Sequence, residues 1–98
     1  MEVVFRNASL EVLYRSGRET GKPVFGKEVI RSFIRKIAVL KEATHAIELT
    51  AFKSLHFEAL TKEERFRGMH SIRVNDRYRL VLKIAKEIVE IHELTDYH

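Results

Sequence analysis

The segment 62–79 carries the side chains best suited to chemistry on an anion. It holds six cationic residues against three acidic ones, a net charge of +3 in a chain whose net charge is +4. The cations are Lys62, Arg65, Arg67, Arg73, Arg77 and Arg79. A planar guanidinium can bind two phosphate oxygens at once, so clustered arginines fit a phosphodiester backbone. The segment therefore predicts a nucleic-acid-binding surface.

Strand alternation predicts which of these arginines share a face. Residues 70–74 and 78–84 alternate polar and apolar side chains around the turn signal Asn75-Asp76. Arg77 and Arg79 should then project from one face of a hairpin, where Arg73 can join them if the register allows. The alternative is a solvated strand face on which each arginine pairs with a neighbouring carboxylate, and the mild net charge is consistent with it.

A second candidate is the run Asp96-Tyr97-His98. The α-carboxylate of His98 and the side chain of Asp96 both favour the protonated imidazole, which could exchange protons near neutral pH. The Tyr97 phenol can donate a hydrogen bond or stack on a base. The alternative is a frayed tail.

Metal chemistry is the third possibility in the sequence. His92-Glu93-Leu94-Thr95-Asp96 is similar to a metalloprotease helix motif, but Asp96 stands where the second histidine belongs. The segment also has a strand pattern, on which His92, Asp96 and His98 would share one face. No neighbouring feature of the sequence fixes the position of His98. The chain also has no cysteine to serve as a metal ligand. We therefore expect neither a metal nor another cofactor.

The elements that must position these residues form one α+β domain over residues 1–98. A strand at 2–6 precedes a helix between an Asn7 cap and Gly17, and a longer helix covers 27–43. The longer helix has an apolar stripe of Ile30, Phe33, Ile34, Ile37 and Leu40. Strands are predicted near 55–60, which includes His56, and at 70–74, 78–84 and 88–94, with a tight turn at 85–86. Both helices should pack on one face of a small, mostly antiparallel sheet.

Composition excludes several other classes of protein. The hydrophobic fraction of 45% argues against disorder, and no apolar run approaches the about 18 residues of a membrane helix. The first residues lack the basic head and apolar stretch of a signal peptide. The absence of cysteine permits a reducing cytosol, so we expect a cytoplasmic protein that does not bind membranes.

The stretch 68–80, read with the final Asp96-Tyr97-His98, resembles the HigB-type toxins of the RelE/ParE superfamily. These are the killer proteins of plasmid maintenance systems. The opening strand and the two helices also come in that family's order. The resemblance implies a RelE-like fold and a metal-independent endoribonuclease, an mRNA interferase that cuts messenger RNA on the ribosome and inhibits translation. It also implies a helix-turn-helix antitoxin partner (HigA-like) in a toxin–antitoxin hetero-oligomer.

The resemblance assigns roles to particular residues. Arg79 matches the arginine that stabilises charge on the scissile phosphate, and Arg73 matches an RNA-contacting arginine. His98 and Tyr97 match the active-site pair, with Asp96 as their acidic neighbour. His56 matches the histidine before the central loop, as an alternative acid.

The sequence also departs from the HigB pattern. The loop after His56 is longer and more acidic, so Lys62 stands in for the family's lysine, with Arg65 or Arg67 as alternatives. Arg77 is an additional cation. The departures keep a rival interpretation open, a non-catalytic RNA- or ribosome-binding module on the same fold. A metal-dependent hydrolase would be a third class.

Overall fold

The computed structural model describes residues 1–96, and its fold is α+β. Within that range, two α-helices and five strands follow one another in the chain. They are β1 (Glu2–Phe5), α1 (Ala8–Ser16), α2 (Lys27–Glu42), β2 (Glu58–Ala59), β3 (His70–Arg73), β4 (Tyr78–Ala85) and β5 (Ile88–Asp96). Short 3₁₀ helices at Ala46–Ala51, Lys53–Leu55 and Glu64–Phe66 fill the connections.

Helix α1 begins and ends where the sequence predicts. The Asn7 side chain accepts a hydrogen bond from the backbone N–H of Leu10 at 3.2 Å, which is the usual N-cap contact. Gly17 ends the helix in the left-handed conformation at φ +69°. The Asn7 amide also donates to the His92 carbonyl of β5 at 3.2 Å. One residue therefore caps the helix and ties it to the sheet.

Helix α2 supplies the centre of the hydrophobic core. Phe33, Ile37 and Leu40 are fully buried, as the apolar stripe predicts, whereas Ile34 is only partly buried. The helix ends at Glu42, one residue earlier than expected. The core lies between this helix, α1 and one face of the sheet.

The sheet has the strand order β1-β5-β4-β3-β2. Strands β3, β4 and β5 form the predicted antiparallel meander, while β1 pairs with β5 in parallel. A register shift between Val81 and Leu82 leaves His92 as an extra residue on β5, a β-bulge. The mostly antiparallel sheet under two helices confirms the predicted architecture.

Two local predictions are wrong. In place of the strand predicted at 55–60, the structure has a strand of two residues, Glu58–Ala59, which pair with Ser71 and His70 of β3. Both of these side chains are exposed, so the strand buries no apolar face. His56 lies outside any strand, in the left-handed conformation at φ +47° after a 3₁₀ helix. The turn predicted at 85–86 lies one residue later, since β4 continues through Ala85 and Lys86 adopts φ +59°.

The sheet face opposite the helices is divided into two parts. Leu60, Phe66 and Val81 form a small apolar cluster over one part of it. The other part carries Arg73 and Arg79, which lie directly opposite each other in the β3–β4 register and so share one face. No helix within residues 1–96 is both long and apolar enough to span a bilayer.

Candidate functional site

Arg79 is the most firmly held cation of the segment 62–79. Its Nε donates to the Oγ of Ser71 at 2.8 Å, and a terminal nitrogen donates to the His56 carbonyl oxygen at 2.5 Å. The same nitrogen lies 3.2 Å from a carboxylate oxygen of Glu58, and only 13% of the Arg79 side chain is exposed. These contacts come from β2, β3 and the turn before β2. The guanidinium is therefore fixed before any ligand arrives.

The register confirms that Arg73 joins Arg79 across the hairpin. The Arg73 Nε donates to the carbonyl oxygen of Asn75 at 3.2 Å, and a terminal nitrogen donates to the Asp76 carboxylate. Because Asp76 is almost fully exposed, this ion pair can open at little cost.

Arg77 belongs to the turn rather than to a strand. The Asn75 side chain accepts backbone hydrogen bonds from Arg77 at 3.0 Å and from Tyr78 at 2.7 Å, which fixes the turn between β3 and β4. The Arg77 Nε donates to an Asp96 carboxylate oxygen at 2.6 Å. This hydrogen bond and the attraction of the carboxylate raise the pKa of Arg77 above its ordinary value.

A shallow cavity of about 370 Å³ collects these groups. It lies near the lower end of the range for small-ligand sites, roughly 300–1,000 Å³. Of the described residues, seven line the cavity, namely His56, Glu58, Arg73, Asn75, Asp76, Arg77 and Arg79. Four of them are candidates from the sequence, and the three arginines converge as an anion would require.

The other three predicted RNA-binding residues do not line this cavity. Arg65 packs over the ring of Phe66 and pairs with carboxylates of Glu63 at 3.0 Å and Glu93 at 3.6 Å. The bond to Glu63 and the attraction of Glu93 raise the pKa of Arg65.

Arg67 pairs with Glu64 at 2.9 Å, and Lys62 is exposed in the loop after β2. For Arg65 and Arg67, these ion pairs favour the solvated-face interpretation.

The candidates at the C-terminus are only partly located. Asp96 is the last residue of β5 and pairs with Tyr78 in the sheet register, so it does not belong to a frayed tail. Tyr97 and His98 lie outside the described residues, and their predicted roles stay predictions. Among residues 1–96, no three His, Asp or Glu side chains form a group that could hold a metal ion.

Sequence reasoning missed two residues that contact Arg79. Ser71 is fully buried and holds Arg79, and its odd-numbered position beside Arg73 is a signal that could have placed it on the same face. Glu58 pairs with Arg79 and lines the cavity, but nothing in the sequence distinguishes it from the other carboxylates of the central loop. A contact between residues 21 positions apart depends on the register of β2.

Comparison with known proteins gives matches in structure but not in sequence. No family model and no curated protein matches the chain. A YoeB/ParE toxin from Agrobacterium tumefaciens superposes with a TM-score of 0.59 at 14% identity, covering 100% of both chains. The YoeB–YefM toxin–antitoxin heterotetramer from Staphylococcus aureus gives a TM-score of 0.56 at 19% identity, covering 100% of this chain and 97% of the other. A YoeB dimer from the same organism gives the same values.

These likenesses establish the fold. The neighbours are YoeB/ParE-type toxins of the RelE/ParE superfamily, so the fold that the resemblance implied is confirmed. They do not single out the HigB type within that superfamily, and at 14–19% identity they transfer no residue roles.

Proposed function

We propose that the chain is the toxin of a type II toxin–antitoxin system, and that it cleaves messenger RNA on the ribosome. The observation that carries the proposal is the convergence of Arg73, Arg77 and Arg79 on one cavity, on a fold shared with toxins. Three guanidiniums around a pocket of this size match a phosphodiester group and its neighbours. A HigB-type identity is the finer part of the proposal and depends on the sequence resemblance.

The proposed reaction is attack of a ribose 2′-hydroxyl on the adjacent phosphorus. The 2′-oxygen loses its proton and bonds to phosphorus, the bond to the 5′-oxygen breaks, and the leaving oxygen takes up a proton. The products are a 2′,3′-cyclic phosphate and a 5′-hydroxyl. The reaction balances without a metal or a redox partner. Negative charge develops on the non-bridging oxygens of the phosphate, and fixed cations beside them stabilise the transition state.

Arg79 is the residue we assign to that charge. Ser71 and the His56 carbonyl oxygen hold its guanidinium in place, so it needs no reorganisation during the reaction. Arg73 and Arg77 bind the flanking phosphates. Binding would exchange the carboxylates of Asp76 and Asp96 for phosphate oxygens.

Proton transfer requires a base and an acid near the reacting atoms. Within the described cavity, the Glu58 carboxylate can accept a proton and the His56 imidazole can accept or donate one. We also propose His98 for this role, with Asp96 orienting the ring and Tyr97 hydrogen-bonded to the phosphate. The ribosome would supply orientation of the message, which can lower a barrier by several kcal/mol.

The proposal includes a partner and a place of action. A helix-turn-helix antitoxin of the HigA type would bind and silence the protein in a hetero-oligomer. Two neighbouring structures contain a toxin with its antitoxin YefM. A ribosome-dependent enzyme would act in the cytoplasm.

The decisive experiment is expression of the Arg79→Ala variant without an antitoxin. We expect the unchanged protein to arrest growth and the variant to lose the arrest at equal expression. Arg15→Ala is the matched control, because this exposed arginine pairs with Glu11 on α1 and does not line the cavity. Growth arrest by Arg79→Ala at undiminished strength would refute the assignment, and His98→Ala tests the C-terminal imidazole in the same way.

One observation favours a second function, a non-catalytic RNA- or ribosome-binding module. Each arginine of the cavity has a carboxylate partner in the unbound protein, which lowers the positive potential of the site. Mapping the ends of a reporter message with and without ribosomes separates the two functions. Defined cuts that require ribosomes support the enzyme, whereas binding without cuts supports the module.

A further inference from the structure

A second cavity lies beside the first, between α2 and the loop that joins β3 to β4. It has a volume of about 370 Å³ and a mainly polar lining. Within the described part of the chain, six residues line it, namely Glu28, Arg31, Ser32, Arg35, Val74 and Asn75. Asn75 lines both cavities, so the two sites share the turn that positions Arg73 and Arg77.

The arginines of this second cavity differ electrostatically from those of the first. Arg31 and Arg35 are exposed, and neither forms an ion pair with any residue in the range 1–96. They lie four residues apart on α2, so their side chains are neighbours on the helix surface and repel each other. Lys27, one turn earlier, extends the same exposed row. Among residues 1–96, Glu28 is the single carboxylate in the lining.

The second cavity is rigidly connected to the first. The buried Ser32 hydroxyl of α2 donates to the Val74 carbonyl oxygen at 2.5 Å, directly after the end of β3. Val74 in turn pairs with Tyr78 across the turn, its N–H donating to the Tyr78 carbonyl at 2.9 Å. Helix α2 and the arginine hairpin therefore keep a fixed spacing.

From these observations we infer that Arg31 and Arg35 form an anchoring site for the RNA phosphate backbone, separate from the cleavage cavity. A single RNA strand that crosses the turn at Asn75 would place the scissile phosphate at Arg79, the flanking phosphates at Arg73 and Arg77, and a phosphate further along the strand against α2. The inference rests on the proposed function for its choice of RNA. Its chemical basis is the pair of guanidiniums that form no ion pair with a carboxylate of residues 1–96.

The two cavities should contribute differently to RNA binding because their arginines differ in ion pairing. In the first cavity, bound phosphates take the place of the Asp76 and Asp96 carboxylates, so binding there changes the net charge of the site little. At α2, neither arginine has a carboxylate partner within residues 1–96, so a phosphate bound there is neutralised directly and releases cations condensed on the RNA, which makes the affinity salt-dependent. Arg31 and Arg35 should therefore dominate the salt dependence of RNA binding.

The test uses the full chain and two fluorescent RNA probes, methylated at every 2′-oxygen so that they cannot be cut. One probe has about three nucleotides and fills only the first cavity, and the other has about nine, within the range bound by single-strand sites. Fluorescence anisotropy gives the affinity over a series of salt concentrations. The variant is Arg31→Ala/Arg35→Ala, in which alanine preserves the helix.

We expect the unchanged protein to bind the longer probe more tightly than the shorter one. In the double variant this gain should disappear, and the slope of log affinity against log salt should fall by about 1.4, because each phosphate contact contributes roughly 0.7. At about 0.1 M salt that corresponds to roughly 25-fold weaker binding. The control Arg15→Ala/Arg18→Ala loses the same charge outside both cavities and should bind within about twofold of the unchanged protein.

Three outcomes would overturn the inference. The first is an unchanged affinity and slope in the Arg31→Ala/Arg35→Ala variant, and the second is failure of the unchanged protein to bind either probe. The third is competition by polyglutamate as effective as that by RNA, which would assign the surface to an acidic protein segment.

The cleavage assay keeps this inference separate from the proposed function. Defined cuts together with an unchanged slope would leave the enzyme intact and remove the α2 site. RNA binding that depends on Arg31 and Arg35 without any cuts would support the α2 site and refute the proposed cleavage activity.

Discussion

Removal of the Ser71 hydroxyl tests the contact that holds the central arginine. Ser71 is fully buried, and its Oγ accepts the hydrogen bond from the Arg79 Nε at 2.8 Å. A hydrogen bond to a charged group contributes about 1.5–3 kcal/mol to stability. Since Arg79 keeps its contacts with His56 and Glu58, we expect Ser71→Ala to lower the free energy of unfolding by about 1.5–2 kcal/mol, the lower part of that range.

The same change should slow cleavage without abolishing it. A guanidinium that is less firmly held stabilises the transition state less, and a loss of about 1.4 kcal/mol corresponds to a tenfold slower reaction. We therefore expect about a tenfold lower rate constant for cutting a bound message, with little change in RNA affinity. A merely structural role for Ser71 would lower stability and leave this rate constant unchanged.

A double-mutant cycle in urea distinguishes the contact from general damage to the core. In the Arg79→Ala background, Ser71→Ala should cost at least about 1 kcal/mol less than in the unchanged protein, because the bond is already absent. Ser32→Ala is the matched control, a buried serine bonded to the Val74 carbonyl instead, and its cost should be the same in both backgrounds. Additive costs for Ser71 and Arg79, within about 0.5 kcal/mol, would refute the reasoning.

Three further predictions concern the scaffold. Asn7→Ala should destabilise the protein by about 1–2 kcal/mol in urea unfolding, because it removes both the cap of α1 and the bond to the His92 carbonyl. Phe33→Ala should cost about 3–5 kcal/mol, since the ring is fully buried in the core, and a smaller cost would mean that the site collapses around the gap. Burial raises the pKa of Glu19, but three backbone N–H groups outweigh it and hold the pKa below its ordinary value of 4.5. Glu19 therefore stabilises the fold above pH 4.5, and the stability difference from Glu19→Gln should shrink as pH falls below it, whereas a pH-independent difference would exclude this role.

Local patterns were enough to predict most of the elements. The two helices follow from apolar spacing and from Asn7 and Gly17 at the ends of α1, and the meander follows from alternation. The parallel pairing of β1 with β5 joins residues 86 positions apart, such as Glu2 and Ile88, and no local pattern specifies it. The tertiary partners of a strand depend on the whole core.

The candidate site shows the same division. Alternation predicted that Arg77 and Arg79 share one face and that Arg73 joins them if the register allows. The register does pair Arg73 with Arg79, whereas Arg77 lies in the turn before β4. The strand predicted around His56 was wrong because its backbone takes the left-handed conformation, which turns the chain so that the His56 carbonyl reaches Arg79. Sequence alone indicates the type of each side chain, but the hydrogen bonds of Ser71 and Glu58 depend on that turn.

The ion pairs of the first cavity reconcile the two interpretations that the sequence left open. A basic hairpin whose arginines pair with carboxylates looks like an ordinary solvated face, yet three guanidiniums around one cavity would repel one another without those partners. The Asp76 side chain is 92% exposed, so its carboxylate can return to water at little cost when phosphate arrives. The pairing therefore keeps the empty site stable without blocking its occupation. By the same argument, exchanging a carboxylate for a phosphate changes the net charge of the cavity little, and the proposed pair of arginines on α2 would supply the salt-dependent part of RNA binding.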